Sequence, residues 1–112
     1  MRLDLKRIIL FTPDMARMTA FYRDVLGRPL RHDEPGFKEF DAGACGIALH
    51  NGKSRVGARA PKLSFWVDDL AAARTALIAR GAQIGEILGG AGLMRCEGKD
   101  PDGNAFQLSS RI

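Results

Sequence analysis

The stretch LDLKRIILFTPDMARMTAFYRDVLG, residues 3–27, decides how this chain folds. Its first nine residues place Leu3, Leu5, Arg7, Ile9 and Phe11 on one side and Lys6, Ile8 and Leu10 on the other, the period-two pattern of a strand. Thr12-Pro13-Asp14 then opens a helix. Thr12 can cap it, Pro13 suits the first helical position, and Asp14 complements the dipole. Met15, Met18, Tyr22 and Val25 recur at helical spacing, Phe21 and Leu26 widen the stripe, and Gly27 terminates it.

Working outward, Pro29-Leu30-Arg31 reads as a short strand and His32 to Gly36 as a turn. Phe37–Asp41 and Cys45–His50 read as two more strands around Ala42-Gly43-Ala44. Residues 51–60 interrupt the pattern with Gly52, Gly57, Lys53, Arg55 and Arg59 and no acid. The order then restarts. Lys62–Val67 alternates, Asp68 and Asp69 start a helix, and Leu70, Ala73, Leu77 and Ile78 form its stripe up to Gly81. Residues 83–88, 93–97 and 105–110 give three further strands, joined by the turns Gly89-Gly90-Ala91-Gly92 and Asp100-Pro101-Asp102-Gly103. Arg7 and Lys62 are 55 residues apart, and so are Asp14 and Asp69. The chain therefore reads as one domain, residues 1–112, made of two βαβββ modules at about 1–52 and 61–112 with a linker at about 52–60.

Composition bounds what such a domain does. At 112 residues, 46% hydrophobic and 27% charged, the chain is globular, and no apolar run approaches the roughly 18–20 residues that span a bilayer. Residues 1–6 lack the apolar region of a signal peptide. Cys45 and Cys96 form neither a metal pair nor a disulfide framework. These features predict a cytoplasmic protein with both thiols reduced, acting as small apolar groups. Seventeen Lys and Arg against 13 Asp and Glu leave a net charge of +4, which favours an anionic partner over a cationic one. Lys53, Arg55, Arg59 and Lys62 have no interleaved aromatics or recognition helix, so no nucleic-acid partner is expected. His32, Asp33 and Glu34 read as a solvated turn rather than a metal site. Residues 89–92 lack the Lys-Ser/Thr ending of a phosphate loop.

The run Asp14 to Gly27, with its D-x-x-x-x-x-x-F-Y-x-x-x-L-G pattern, resembles the vicinal oxygen chelate superfamily of glyoxalases, bleomycin resistance proteins and extradiol dioxygenases. Phe65-Trp66-Val67-Asp68-Asp69-Leu70 leading to Ala79-Arg80-Gly81, and the closing Asp100-Pro101-Asp102-Gly103-Asn104, extend the likeness over the whole chain. The resemblance implies an α+β fold in which two βαβββ modules curl a mixed sheet into a cup, helices on the convex side. It also implies a frequent homodimer and, in many members, a divalent metal held by histidines on first strands and a carboxylate on last strands. Carried over, the first-strand positions are Arg7 and Lys62, and the last-strand positions are Ala48 and Gln107. Arginine and lysine offer a metal no lone pair, Ala48 has no donor, and Gln107 is a weak one. No metal or other cofactor is therefore expected.

The chain is expected to bind a small organic anion in the cup, through Arg7, Phe11 and His50 from the first module and Lys62, Trp66 and Gln107 from the second. Ile9, Ala48, Ser64 and Ser109 share that face. Ile8, Leu10, Ile47, Leu49, Leu63, Phe65, Val67, Phe106 and Leu108 face the helices as core. The cationic balance tells against bleomycin itself as ligand. Two alternatives stay open: that Arg7 and Lys62 simply pair with acids such as Glu39 and Glu97, or that the chain is a lyase, isomerase or dioxygenase-like enzyme using a displaced metal or a base such as His50.

Overall fold

The computed structural model describes residues 1–90 and 94–111. The chain divides into two compact units, Met1–Arg55 and Val56–Ile112, and the division falls within the basic stretch 51–60. The class is α+β: the described residues form one four-stranded and one three-stranded sheet, neither closed into a barrel, with one α-helix in each unit.

Unit 1 runs β1 (Arg7–Thr12), α1 (Met15–Ala20), a π-helical segment (Phe21–Val25), β2 (Leu30–Glu34), β3 (Phe37–Asp41) and β4 (Gly46–Asn51). The sheet order is β1-β4-β3-β2, with β1 and β4 parallel and the other pairs antiparallel. β1 starts later than its alternation suggests. The Lys6 carbonyl accepts from the Gly46 amide at 2.8 Å, and β4 begins at Gly46, so Leu3 and Leu5 have no strand to pair with and stay exposed. The helix is capped by Asp14, whose carboxylate accepts from the Arg17 amide at 3.0 Å. Thr12 is paired with Asn51 within β1, so its hydroxyl accepts instead from the Asp14 amide at 3.0 Å. Gly27 ends the helical run at φ 66°, where a side chain would be strained.

The helix covers one face of its sheet. Met18, Tyr22, Phe40, Ile47 and Leu49 are buried there, with the Tyr22 and Phe40 rings 6.0 Å apart. Leu10 is half-buried, but Ile8, expected in the core, is 36% exposed. β1 is an edge strand, and Ile8 lies near its margin. β2 continues through His32, Asp33 and Glu34, which the sequence assigns to a turn. As the opposite edge strand, β2 needs backbone pairing with β3 but no apolar alternation.

Unit 2 follows the same order with one strand fewer: β5 (Leu63–Trp66), α2 (Leu70–Ala79), β6 (Arg95–Lys99) and β7 (Ala105–Ser109), in sheet order β5-β7-β6. Asp69 caps α2 by accepting from the Ala72 amide at 3.0 Å, and Gly81 follows at φ 101°. Leu70, Cys96 and Leu108 form a core against Phe65, Val67, Ala73, Leu77, Ile84 and Ile87. Ile78, expected on that stripe, is 40% exposed at the helix end.

The strand expected at 83–88 is not formed. Two isolated bridges, Ile84 to Gly98 and Leu88 to Arg95, take its place. The near side has one residue more between the bridges than the far side, and Gly85 falls inside it, so no continuous ladder can run. The strand expected at 93–97 is found as Arg95–Lys99; Leu93 and part of the turn at 89–92 lie outside the described residues. The Asp100–Asn104 turn forms as expected. The Asp100 carboxylate accepts from the Asp102 and Asn104 amides and from Asn104 Nδ2, at 3.0, 2.9 and 2.8 Å.

Candidate functional site

Strand register fixes which side chains share the face of each sheet turned away from its helix. In unit 1, Arg7, Ile9 and Phe11 of β1 lie beside Gly46, Ala48 and His50 of β4, and these beside Asp41, Glu39 and Phe37 of β3. In unit 2, Ser64 lies beside Gln107 and Gln107 beside Glu97, with Trp66 beside Ser109. The row Ile9–Ala48–Glu39 thus has its counterpart in Ser64–Gln107–Glu97.

Arg7 does not stand free. Its Nε donates to Glu39 Oε1, while Arg31 donates to Oε2 through Nε at 2.8 Å and Nη2 at 2.6 Å. The pairing left open from the sequence is therefore realised, and a second arginine joins it. Arg31 reaches Glu39 because the register slips between Leu30 and His32. Leu30 opposes Phe40 on the helix side, His32 opposes Glu39 on the other, and the bulged residue between them is re-aimed. The Glu39 side chain is 1% exposed, those of Arg7 and Arg31 40% and 38%. Burial works to raise the Glu39 pKa, but hydrogen bonds from Arg7 and Arg31, and their charges, win and hold it below its ordinary value.

Gly46 makes room for this group. A Cβ there would stand 2.6 Å from Arg31 Nη2 and 2.8 Å from Glu39 Oε2. Beside it opens a cavity of about 700 Å³ whose walls include Lys6, Arg7, Arg31, His32, Glu39 and Cys45.

At the other end of the same face, His50 stands between two rings. Phe11 lies 5.4 Å away and Phe37 6.4 Å away, both edge-on. His50 Nδ1 is 2.8 Å from the Asn51 carbonyl. A carbonyl can only accept, so Nδ1 carries the proton of the neutral ring and Nε2 keeps its lone pair. Ile9 is 46% and Phe11 52% exposed, and His50 is exposed.

Unit 2 carries the related set. Lys62 Nζ donates to Glu97 Oε1 at 2.7 Å, and Arg95 Nε approaches the same oxygen at 3.3 Å. The hydrogen bond from Lys62 leads in lowering the Glu97 pKa, against a burial effect that raises it, and Arg95 adds to the lowering. Gln107 Nε2 donates to Ser64 Oγ at 2.8 Å, and Trp66 is 59% exposed. Arg31 and Arg95 were not singled out from the sequence. Arg95 sits two residues from Glu97 on one strand, a spacing that places both on one face and could have revealed it. Arg31 depends on a bulge and left no such signal.

The donor set does not fit the divalent metal that the resemblance implies. Arg7 and Lys62 present only N–H groups and Ala48 presents none. Among the described residues no three His, Cys, Asp or Glu side chains are grouped to hold an ion. Asp33, beside His32 and Glu34, is paired with Lys38. The Cys96 thiol is fully buried, and burial raises its pKa despite Arg74, so it stays an inert core group. No helix among the described residues is long and apolar enough to cross a membrane.

The family model described as Glyoxalase/Bleomycin resistance protein/Dioxygenase superfamily matches residues 4–108, and the chain belongs to that superfamily. No curated protein matches it in sequence. Among solved structures, it is similar to an integron cassette protein from the mobile metagenome of V. cholerae, at 27% identity and TM-score 0.74, covering 96% of this chain and 95% of that one. A fosfomycin resistance protein from Listeria monocytogenes, complexed with Mn(II) and dihydroxypropylphosphonic acid, superposes with TM-score 0.82 at 17% identity, covering 100% and 93%. A lactoylglutathione lyase from Agrobacterium tumefaciens does so with TM-score 0.73 at 22%, covering 93% and 90%. The last two share the fold.

Proposed function

We propose that this chain is a small-molecule-binding member of its superfamily that takes a small organic anion without a resident metal. The observation that carries this reading is the pair of cation groups. Arg7 and Arg31 share Glu39, and Lys62 and Arg95 share Glu97, so each group keeps one positive charge in surplus. In unit 1 that surplus borders a cavity, with the exposed Ile9 and Phe11 on the same sheet face for the apolar part of a ligand. In unit 2, Trp66 and Gln107 extend the face that Glu97 shares. The ion pairs do not cancel the attraction for an anion. They fix the guanidinium groups in place, which lowers the ordering cost of binding.

A thermal-shift screen of aromatic and aliphatic carboxylates and phosphates tests the reading. At least one such anion raises the melting temperature, and Arg7→Ala reduces the shift. If none does, or if Arg7→Ala and Lys62→Ala leave every hit unchanged, the reading fails. Stoichiometric zinc, nickel, manganese or iron in the purified protein would overturn its metal-free part. Exposed Ile9, Phe11 and Trp66 also support a homodimer; a single monomeric species in sedimentation at micromolar concentration would overturn that.

One observation favours a second reading, an enzyme of the same superfamily. His50 Nε2 keeps its lone pair on a ring held by Asn51, Phe11 and Phe37, the arrangement of a general base. Turnover of a bound carboxylate that disappears in His50→Gln would decide for it.

A further inference from the structure

We propose that Glu39 is a charge filter for the unit 1 cavity, setting it to take the single charge of a carboxylate in preference to a dianion such as a phosphate monoester. The proposal rests on the anion-binding reading above and adds the ligand's charge class to it.

The cavity wall carries three cations, Lys6, Arg7 and Arg31, and two carboxylates, Asp4 and Glu39, a surplus of one. Asp4, held by Arg2 at 2.7 Å, shares this wall with Lys6 and offsets its charge, so the surplus is that of Arg7 and Arg31 over Glu39. Glu39 is fixed. It is buried under both arginines, and the space over Gly46 is filled by Arg31 and Glu39 itself.

The donors left over point the same way. Arg7 spends only Nε on Glu39, which leaves its two Nη groups as a planar edge suited to the two oxygens of one carboxylate. Arg31 uses Nε and Nη2, leaving Nη1. Attraction to a fixed surplus grows in proportion to the ligand's charge, whereas the cost of taking that charge out of water grows with its square. A surplus of one therefore suits a monoanion. Without the Glu39 charge the surplus becomes two, and the balance moves to a dianion.

Glu39 touches no ligand in this scheme; it is a positioning residue acting through two guanidinium groups. A merely structural role would weaken all anions alike, so the ratio of two affinities is the informative quantity. The probes are benzoate and phenyl phosphate, which share a ring and differ in charge at about pH 8, where a phosphate monoester is a dianion. Each is titrated calorimetrically into the wild-type chain, Glu39→Gln and Arg31→Gln.

The expected result is that Glu39→Gln shifts the ratio of the two affinities toward phenyl phosphate by about tenfold or more. Arg31→Gln, which takes the surplus to zero, weakens both probes and phenyl phosphate the more. The second variant keeps the test alive if Glu39→Gln does not fold. A ratio within about twofold of wild type in the variants, with both probes still binding, overturns the charge filter and leaves the anion reading standing. Failure of both probes to bind the wild-type chain overturns the filter together with the unit 1 anion site.

Discussion

The two units answer the same electrostatic problem with different amounts of water. Each joins a cation at or just before the start of its first strand, a glutamate across the sheet, and an arginine as second cation. In unit 1 the glutamate is 1% exposed, in unit 2 it is 46% exposed. Glu39 uses both oxygens, one for Arg7 and one for Arg31, whereas Lys62 and Arg95 crowd a single oxygen of Glu97. The strand residue beneath differs as well. Register puts Gly46 opposite Arg7 in β4, and the equivalent residue in β7 is Ala105, opposite Lys99 and one place before Phe106. Where the side chain beneath is absent, the ion group sinks into the sheet; where a methyl stands, it stays at the surface. One group can therefore order a site, while the other has the geometry of a surface pair worth little to stability.

The sharpest way to break this comparison is to remove each carboxylate charge in turn. Glu39→Gln leaves two arginines without a counter-charge over a buried amide, and should cost about 2 kcal/mol. In a domain of this size that is a fall of roughly 10 °C in melting temperature. Glu97→Gln should change stability by less than about 0.5 kcal/mol, since Lys62 and Arg95 are already hydrated. Equal losses in the two variants, read by urea titration, would show that burial does not separate the groups.

Glycine 46 offers a second, smaller test. In an open strand, Gly→Ala stabilises by roughly 0.5–1 kcal/mol through backbone entropy. At position 46 the new methyl would lie 2.6 Å from Arg31 Nη2 and 2.8 Å from Glu39 Oε2, so the ion pair must part. Those atoms end flexible side chains, so the gain is reversed rather than overwhelmed, to a net loss of about 1 kcal/mol. Ala105→Gly should lose about the entropy difference alone. A stabilised Gly46→Ala protein would mean that the Arg31–Glu39 contact is not held in solution.

The sequence made the larger of these contrasts half visible. Alternation in β1 and β5, the helix openings at Thr12–Asp14 and Asp68–Asp69, and the closing glycines 27 and 81 are local features, written in adjacent residues, and they set both units and their order, although the cap read at Thr12 belongs to Asp14. Arg7 and Lys62 stand out by the family resemblance, seven residues before Asp14 and Asp69. Glu39 and Glu97 could be named only as possible partners, because both lie on strands that alternate like any other. The depth of Glu39 depends on a missing methyl on the neighbouring strand, at Gly46, two residues along from its partner Ala48. Arg31 depends on a one-residue slip in an edge strand whose residues, His32 to Glu34, are all polar and therefore read as a turn. The strand that fails at 83–88 misled in the opposite sense. Ile84 and Leu88 supply apolar residues, but Gly85 and the extra residue opposite β6 decide the pairing, and neither declares itself in a pattern of polarity.

Acid provides the finest probe of the difference between the units. Glu39 has its folded-state pKa held below the ordinary value of 4.5, so the unfolded chain binds its proton first as pH falls. Its contribution is therefore present in full above about pH 4.5 and disappears as pH drops through the lower, folded-state value. Glu97 is shifted in the same direction, but its half-exposed carboxylate exchanges its partners for water at little cost. Stability measured by urea titration between about pH 3 and 5.5 should thus fall with acid in the wild-type chain and in Glu97→Gln, and fall less steeply in Glu39→Gln. The slope reports the difference in protons bound by the unfolded and folded chains, so a steep limb surviving in Glu39→Gln would assign the acid sensitivity to other carboxylates. It would also place Glu39 on the same footing as its exposed counterpart, whatever its burial.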